Sequence, residues 1–360
     1  GERNMTRYEL AQIIARLMAR EDQMNAEQRA VIDKLAGEYA DELANLGVRV
    51  TNLEKKVGNI SWYGDARMRW QQKGYNADGS RMEDSWNGRL RINAKARVND
   101  STYVRGRFRG DFNFKDNKDA NTYMDLLYVH HQFGDNVGVN LGRSALWLGQ
   151  TGLVMDDFMD GAQAFIGNEK LMLEAGYGRV MEWKQDGVFT EKVSGKDVAI
   201  DHEMAYARLF GNAGRFGYDV EYLTVDKDMG TYIGAGLTAG ITEDLDLFGD
   251  FYKNTDAEGD PIIWTAGIGF GHAKKSKPGS FRLSAQYVKG EAGAYMGYSS
   301  TYTAFPLNSI KSTDAHFWLI NGDVALAKNL ILHGEYAFDV NADNNVDYDD
   351  MATLSLNYSF

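Results

Sequence analysis

Apolar side chains recur at every second position from residue 60 to the C-terminus, and this alternation constrains the fold more than any other feature of the sequence. At its start, Trp62, Met68 and Trp70 share one parity, while Asp65 and Arg67 occupy the other. A period of two is that of a β-strand with one apolar and one polar face. The same pattern recurs at 215–225, 229–241, 262–272, 281–289 and 352–360. About sixteen such segments can be counted, which predicts a large all-β domain.

The connections between the predicted strands fall into two length classes. Short ones are predicted at 99–101, 134–136, 167–169, 211–214, 242–244 and 327–329. They alternate with mostly longer ones at 71–86, 144–160, 181–197, 254–260, 290–311 and 340–350. A meander with short turns at one end and long loops at the other is typical of bacterial outer membrane barrels, which have even strand numbers. The predicted fold class is an all-β transmembrane barrel of about 16 antiparallel strands, with an N-terminal α-helical coiled-coil stalk.

Aromatic residues distinguish this barrel from a soluble β-sandwich, which would show the same alternation. Trp62 and Trp70 share the apolar parity, and eight residues of tilted strand rise roughly 20 Å between them. Membrane barrels carry aromatic girdles at both edges of their apolar band, whereas a sandwich needs no such residues. Asp125 interrupts the apolar face of 123–133, and 313–323 is apolar on both parities. We expect these stretches to be buried against another subunit instead of lipid.

Composition excludes several function classes. The chain has 360 residues, a net charge of −12 and no cysteine, which excludes a disulfide scaffold, a thiolate metal site and a cysteine nucleophile. No run approaches 18 apolar residues, so no transmembrane helix is predicted. A basic stripe raises nucleic acid as a partner, but no nucleic-acid-binding signature accompanies it. Nothing places a serine beside a histidine and an acid, so no enzyme activity is predicted. His130 and His131 are adjacent on a strand and point to opposite faces, and the acidic stretch 343–349 has Tyr348 where a calcium loop needs glycine, so no metal or cofactor is predicted.

The first 57 residues have a helical pattern instead. Thr6 and Glu9 match the capping box that begins a helix. Further along, a predicted heptad seam has Leu43, Val50 and Val57 at position a, and Ile32, Tyr39, Leu46, Leu53 and Ile60 at position d. This seam predicts a coiled coil; a single amphipathic helix on a globular core is the alternative.

A cationic stripe runs along the predicted hairpin 88–110. Its seven cations all have odd numbers, and the residues between them are mostly apolar. A three-residue turn at 99–101 sets Lys95 opposite Arg105 and Arg91 opposite Arg109, although like charges across a ladder destabilise a strand pair. If the apolar face meets lipid, the cations point into a water-filled lumen, together with two arginines of the first strand. This basic ladder consists of Arg67, Arg69, Arg89, Arg91, Lys95, Arg97, Arg105, Arg107 and Arg109.

Three stretches resemble known families. Residues 5–11, MTRYELA, resemble the end of an S-layer homology module, and residues 353–360 resemble the closing strand of outer membrane barrels. The length, the predicted sixteen strands and the segment 144–160 resemble the trimeric general diffusion porins. The order of module, coiled coil and barrel is similar to the S-layer-homology porins of the OmpM type, over the whole chain.

This resemblance implies three parts. Residues 1–22 would be the C-terminal remnant of an S-layer homology module, 23–59 a periplasmic coiled-coil stalk, and 60–360 an outer membrane porin barrel. The upstream part of the module is expected to precede residue 1, so wall binding is expected of the full-length protein. The implied wall-binding motif is Thr6, Arg7 and Glu9, with Arg7 touching the wall ligand. The implied signal for the barrel assembly machinery is Leu354, Leu356, Tyr358 and Phe360.

The resemblance also implies that loop 144–160 folds into the barrel as a constriction. Its acids Asp156, Asp157 and Asp160 would face the basic ladder and create a transverse field. A surface loop with scattered acids is the alternative. Gly234 and Gly236 lie on the polar parity of one strand, which indicates either an open bore or close packing of an inserted loop.

The predicted function is that of an outer membrane general diffusion porin for small hydrophilic solutes and ions. The expected partners are two further copies in a homotrimer, outer membrane lipid or lipopolysaccharide, and modified peptidoglycan or a wall polymer. The stalk is expected in the periplasm. The rivals are a structural tether with a plugged barrel, a substrate-selective channel, and a barrel lipase or protease, which the missing triad disfavours.

Overall fold

The computed structural model describes residues 6–18, 26–45, 59–72, 80–115, 120–180, 190–193, 196–199, 202–226, 229–305, 307, 312–344 and 346–360. The chain divides into two compact units, residues 1–60 and 61–360, and each is described by itself.

Three helices make up the described part of the first unit: α1 (Arg7–Met18), α2 (Ala26–Glu38) and α3 (Ala40–Asn45). The predicted capping box begins α1, because Glu9 N–H donates to Thr6 Oγ1 at 3.2 Å and Thr6 N–H donates to the Glu9 carboxylate at 2.9 Å. One apolar face of α1 packs against the other two helices through Ile14, Ile32 and Leu43, all buried. Among the described helices, none is long and apolar enough to cross a membrane.

Part of the predicted heptad seam can be located in this unit. Ile32 and Leu43 are buried in the cluster that includes α1, and Tyr39 packs against it. Ile60 is the first residue of a strand. The remaining seam residues, Leu46, Val50, Leu53 and Val57, lie outside the described residues, so the coiled coil stays a prediction.

The second unit consists of β-strands. They are β1 (Ile60–Gln71), β2 (Ser85–Asn99), β3 (Thr102–Asn113), β4 (Asn121–Phe133), β5 (Val137–Trp147), β6 (Met155–Asn168), β7 (Leu171–Val180), β8 (Thr190–Val193), β9 (Lys196–Ala199), β10 (His202–Ala213), β11 (Phe216–Val225), β12 (Gly230–Gly240), β13 (Leu245–Asn254), β14 (Ile262–Gly271), β15 (Phe281–Gly290), β16 (Tyr298–Ser299), β17 (Ala315–Ala327), β18 (Leu330–Ala342) and β19 (Met351–Ser359).

Sixteen of these strands form one closed antiparallel barrel, which confirms the predicted fold class. Consecutive barrel strands pair with each other, and the barrel closes where β19 pairs with β1, with Asp65 opposite Ser359. The other three strands are additions: β8 and β9 form a small hairpin, and β16 pairs in parallel with β6.

Most connections have the two predicted lengths, although 226–229 is short for the end with the long connections. The short ones include 100–101, 134–136, 169–170, 214–215 and 328–329, and the longest at the other end are 72–84, 181–201 and 291–314. The segment 272–280 is long although it lies at the short-turn end. It was missed in the sequence, as were 114–120 and 226–229.

The two faces of the wall differ in exposure as a membrane barrel requires. On β2 and β3, Leu90, Val98 and Phe108 are 38%, 60% and 47% exposed, whereas Asn93 and Arg107 of the opposite parity are buried. A soluble sandwich would bury the apolar parity. Here the apolar parity lies outside, where a lipid-facing surface needs it.

A β-bulge corrects the predicted turn of the basic hairpin. Asn99 pairs with Thr102 across a two-residue turn, and Val98 is the extra residue on β2. The bulge adds one residue to β2 and the turn has one residue fewer than predicted, so the register of the hairpin before the bulge is unchanged. The predicted pairs Lys95 with Arg105 and Arg91 with Arg109 are therefore present.

A second bulge explains the interruption at Asp125. Leu126 pairs with Arg107 and Met124 pairs with Phe108, so Asp125 is the extra residue on β4. Its side chain is fully buried and binds Arg107. A second subunit is therefore not needed to cover this acid.

Candidate channel interior

Part of the basic ladder is paired with acids on the same four strands. Asp65 on β1 accepts hydrogen bonds from Arg89 at 3.1 Å and from Arg91 at 2.9 Å. Sequence parity predicted Asp65 on this face but not its pairing with two arginines at once. One carboxylate thus bridges two neighbouring cations and reduces the repulsion between them.

The Arg107–Asp125 pair is the most deeply buried ion pair of the ladder. Arg107 Nε and Nη2 donate to the two Asp125 oxygens at 2.7 and 2.8 Å, a bidentate arrangement. Arg109 Nη1 lies 3.9 Å from the same carboxylate and also binds Asp111 at 2.9 Å.

Three further cations of the ladder have weaker or more exposed partners. Lys95 Nζ lies 3.9 Å from the centre of the Tyr103 ring. Arg105 donates to the Asn93 amide oxygen at 2.8 Å. Arg97 pairs with an aspartate at the exposed turn.

Arg67 and Arg69 differ from the rest. Within the described part of the chain, neither guanidinium has a hydrogen bond or an ion pair, and both Nε atoms are buried without a partner. Like Lys95 and Arg105, these two arginines form no ion pair with an acid among the described residues, and the four add positive charge to this wall.

The predicted loop 144–160 does enter the barrel, but its secondary structure was predicted wrongly. Residues 148–154 are the connection, while Asp156, Asp157 and Asp160 lie on β6. Apolar residues occupy both parities here, which conceals a strand in the sequence. Residues 152–155 are buried on both parities, so neither face needs to be polar there, whereas Trp147 is 42% exposed.

The end of the β5–β6 hairpin leaves the barrel wall. β5 pairs with β4 only as far as Arg143, and β6 pairs with β7 only from Met159 onward. We call residues 144–158 the inner hairpin. Its tip reaches β11 and β13: Gly149 N–H donates to Glu221 at 2.8 Å, and Gln150 N–H donates to Asp250 at 2.8 Å.

The acids that hold the tip were not recognised in the sequence. Besides Gln150, Thr151 binds Asp250 through its N–H at 2.8 Å and its hydroxyl at 2.5 Å. Gly149 has φ +76°, and a Cβ there would meet the Asp250 carboxylate. The only available signal was that Asp219, Glu221 and Asp250 lie on the polar parity of long strands.

The predicted constriction acids have different surroundings. Asp160 binds Arg143 at 2.5 Å on the neighbouring strand. Asp156 accepts a hydrogen bond from Ser300 at 2.9 Å. Phe158, between them, lies 5.3 Å from the Arg107 guanidinium, which brings this face of the inner hairpin next to the ladder.

A second segment, residues 291–305, also enters the barrel, which the sequence did not reveal. Ser299 Oγ donates to the Gly152 carbonyl oxygen at 2.7 Å. Thr303 and Ala304 bind Glu335 on β18 at 2.6–2.8 Å. The segment thus joins the inner hairpin to the opposite wall.

An apolar cluster packs inside the barrel at the end that carries the long connections. Strand residues and both inserted segments contribute to it, among them Leu148, Leu153, Val154, Leu223, Tyr252, Ile263, Val288, Met296, Phe305 and Phe317. The interior therefore has a packed apolar side and a charged side along β1–β4.

The lumen-facing glycines serve close packing, not an open bore. A Cβ at Gly234 would lie 2.3 Å from the Tyr252 ring, and one at Gly236 would meet Asp219 and Asp250. Tyr252 also donates to Glu221 at 2.6 Å. Both glycines therefore make room for side chains that hold the inner hairpin.

The residues of the implied wall-binding motif all have partners within the helical unit. Thr6 and Glu9 cap α1. Arg7 Nε donates to Glu42 at 2.6 Å, and its guanidinium lies 4.6 Å from the Tyr39 ring centre. The Arg7 guanidinium lowers the pKa of the Glu42 carboxyl.

The implied assembly signal lies on the closing strand. Leu354, Tyr358 and Phe360 are exposed, with Leu356 on the same parity. Phe360 exchanges backbone hydrogen bonds with Gly64 at 2.8 and 3.0 Å, which completes the barrel.

Solved porins have the same fold. A variant of the Rh. blastica porin has a TM-score of 0.55 at 12% identity, covering 84% of this chain and 100% of that chain. A triple mutant of the Rhodopseudomonas blastica porin gives 0.54 at 12%, with the same coverage. No family model and no curated protein sequence matches. The fold and the charged interior define a sixteen-stranded barrel of the porin type.

Proposed function

We propose that this protein is an outer membrane general diffusion porin for small hydrophilic solutes and ions. The observation that carries the proposal is the asymmetric interior, in which nine cations on β1–β3 line one side and the inner hairpin faces them. Charged side chains along a water-filled path act on passing ions. No reaction is assigned to the protein.

The test is single-channel conductance of the purified, folded protein in a planar bilayer, with a salt gradient to read the reversal potential. An open porin gives a large ohmic conductance. Closure in three equal steps would support the homotrimer, which rests on the resemblance to trimeric porins.

A second candidate is a structural tether with a plugged barrel. The apolar cluster and the two inserted segments favour it, because they fill a large part of one barrel end. If protein whose folding is verified by circular dichroism gives no conductance in the bilayer, the tether becomes the better-supported function.

Tethering is proposed for the full-length protein, with the helical stalk in the periplasm and the module on modified peptidoglycan or a wall polymer. Arg7 can act by direct contact or by holding Glu42. Sedimentation with purified cell walls would compare Arg7→Ala with Glu42→Gln, and Arg16→Ala on the exposed side of α1 is the control. Loss in Arg7→Ala alone indicates contact, and equal loss in both indicates positioning.

Leu354, Leu356, Tyr358 and Phe360 are proposed as the signal for the barrel assembly machinery, and the apolar outer face as the surface for lipid or lipopolysaccharide. Replacing Phe360 with Ala should lower the yield of folded barrel in cells more than spontaneous refolding in detergent. Equal losses in both assays would assign Phe360 to barrel closure alone.

A further inference from the structure

Arg67 and Arg69 occupy the same face of β1, two residues apart, so their Cα atoms are separated by roughly 7 Å. The facing residues on β19 are neutral, with Asn357 opposite Arg67 and Ser355 opposite Arg69. On the other side of β1, Arg89 binds the single carboxylate of Asp65. Glu335 on β18 also attracts Arg69 electrostatically, and Asp65 is shared with Arg91. The neighbourhood therefore holds four arginines against two acids.

The hydrogen-bonding capacity of this group is unfilled. A guanidinium has five N–H donors and no acceptor. Among the described residues, Arg67 and Arg69 have no acceptor at all, and the Nε atoms of Arg67, Arg69 and Arg89 are buried without one. The Arg67 and Arg69 side chains are half-buried, so these guanidinium groups, which have no protein acceptor, remain accessible to an acceptor that enters from the lumen.

We propose that Arg67, Arg69 and Arg89 form a binding site for a small polyatomic oxoanion with two negative charges, of the phosphate class. The planar guanidinium matches a phosphate oxygen pair in a bidentate way, and two adjacent arginines can engage different oxygens of one anion. A spherical anion such as chloride cannot make these paired contacts.

This site rests on the proposed channel, because the anion reaches it through the lumen. An oxoanion there would neutralise the repulsion within the ladder and would slow the passage of other anions. The protein would then favour phosphate-bearing solutes over chloride at low concentration.

The test is the current through the protein in planar bilayers, with potassium phosphate replacing potassium chloride at constant ionic strength and pH 8. Wild-type current should fall saturably as phosphate is added. Arg67→Ser/Arg69→Ser should raise the half-blocking concentration about ten-fold or more, since at least one charge-assisted hydrogen bond is lost. Arg67→Lys/Arg69→Lys keeps the charge but loses the bidentate guanidinium geometry. Its half-blocking phosphate concentration should lie between those of wild type and Arg67→Ser/Arg69→Ser.

The matched control is Arg215→Ser/Lys328→Ser, which removes two cations from exposed short turns. Its phosphate block should equal that of wild type. Equal weakening in the control and in Arg67→Ser/Arg69→Ser would overturn the site, because net charge alone would then explain the effect.

The remaining outcomes separate this inference from the proposed function. Wild-type conductance in chloride without a phosphate block would overturn the site and leave the porin intact. With no conductance at all, the porin fails, and isothermal titration of folded protein in detergent with phosphate decides the site. A heat of phosphate binding that is present in wild type and lost in Arg67→Ser/Arg69→Ser supports the site. No binding heat in wild type overturns the site.

Discussion

The Arg107–Asp125 pair should make a large contribution to the stability of the barrel. The Asp125 side chain is fully buried, the Arg107 side chain is 9% exposed, and two hydrogen bonds of 2.7 and 2.8 Å join them. Asp125→Ala leaves the guanidinium buried without this carboxylate. Breaking one partner of such a pair costs about 3–5 kcal/mol, which we expect as the loss in the free energy of unfolding.

The matched control lies at the turn of the same hairpin. Arg97 and Asp100 also form an ion pair, but their side chains are 67% and 94% exposed. Exposed pairs contribute about 0–1 kcal/mol, so Asp100→Ala should change little. The double variant Arg107→Met/Asp125→Leu should lose less than Asp125→Ala, because no uncompensated charge is left.

The assay is guanidinium unfolding of the barrel in lipid vesicles, followed by tryptophan fluorescence under conditions where unfolding and refolding curves overlap. If Asp125→Ala loses no more stability than Asp100→Ala, lumen water must reach the pair and replace the lost carboxylate. The burial argument would then be refuted.

Two further outcomes can be tested. Asp250→Ala removes three hydrogen bonds to the tip of the inner hairpin, each worth about 1.5–3 kcal/mol. The single-channel current of this variant should become noisier, whereas Asp260→Ala, which removes an exposed acid, should leave the noise unchanged. An unchanged noise level in Asp250→Ala would contradict the anchoring role. The pKa of Glu42 is lowered by its hydrogen bond from Arg7, so the stabilisation of the helical unit by this bond is present above the ordinary glutamate pKa and is lost as pH falls through the lowered value. Hydrogen exchange in residues 7–45, corrected for intrinsic rates, should accelerate as pH falls between these two pKa values in wild type but not in Glu42→Gln. Identical pH profiles in the two proteins would show that the bond contributes nothing.

The barrel could be predicted from the sequence because its wall obeys one simple rule. Side chains on a strand alternate, so lipid outside and water inside produce the same period throughout. That rule places Lys95 and Arg105 on the same face, and the position of the turn near residue 100 then sets them opposite each other. The bulge at Val98 could not be predicted, because the extra residue and the shorter turn together leave the pairing of odd with odd positions unchanged.

The inserted segments could not be predicted in the same way. Residues that pack inside the barrel are apolar on the lumen-facing parity, where the rest of the wall is polar, and Leu146, Leu148 and Met155 are examples. Its partners, such as Asp250, are far away in sequence, and no local pattern links them. Asp125 was visible as an irregularity, but only the register shows that a bulge brings it to Arg107.

The seam residues of the helical unit illustrate a different limit. Heptad spacing identifies the apolar face of a helix but not what covers that face. Ile32 and Leu43 pack with Ile14 of the same chain. The same spacing therefore serves packing within one chain at Ile32 and Leu43.

Arg105 offers the clearest test of whether the ladder faces the ion path. Arg107 and Arg109 bind carboxylates, so their removal changes the stability of the wall as well as its charge. Arg105 donates to the neutral amide of Asn93 and lies 5.6 Å from the ring centre of Tyr63. Arg105→Ser should therefore remove one positive charge with little loss of stability.

In a potassium chloride gradient, the reversal potential of Arg105→Ser should shift toward cation preference, because one attractive charge for chloride is gone. The shift should shrink as salt is raised, since screening shortens the reach of the charge. Arg215→Ser, at an exposed turn, removes the same charge and serves as control. A reversal potential unchanged from wild type at low salt would place Arg105 outside the ion path.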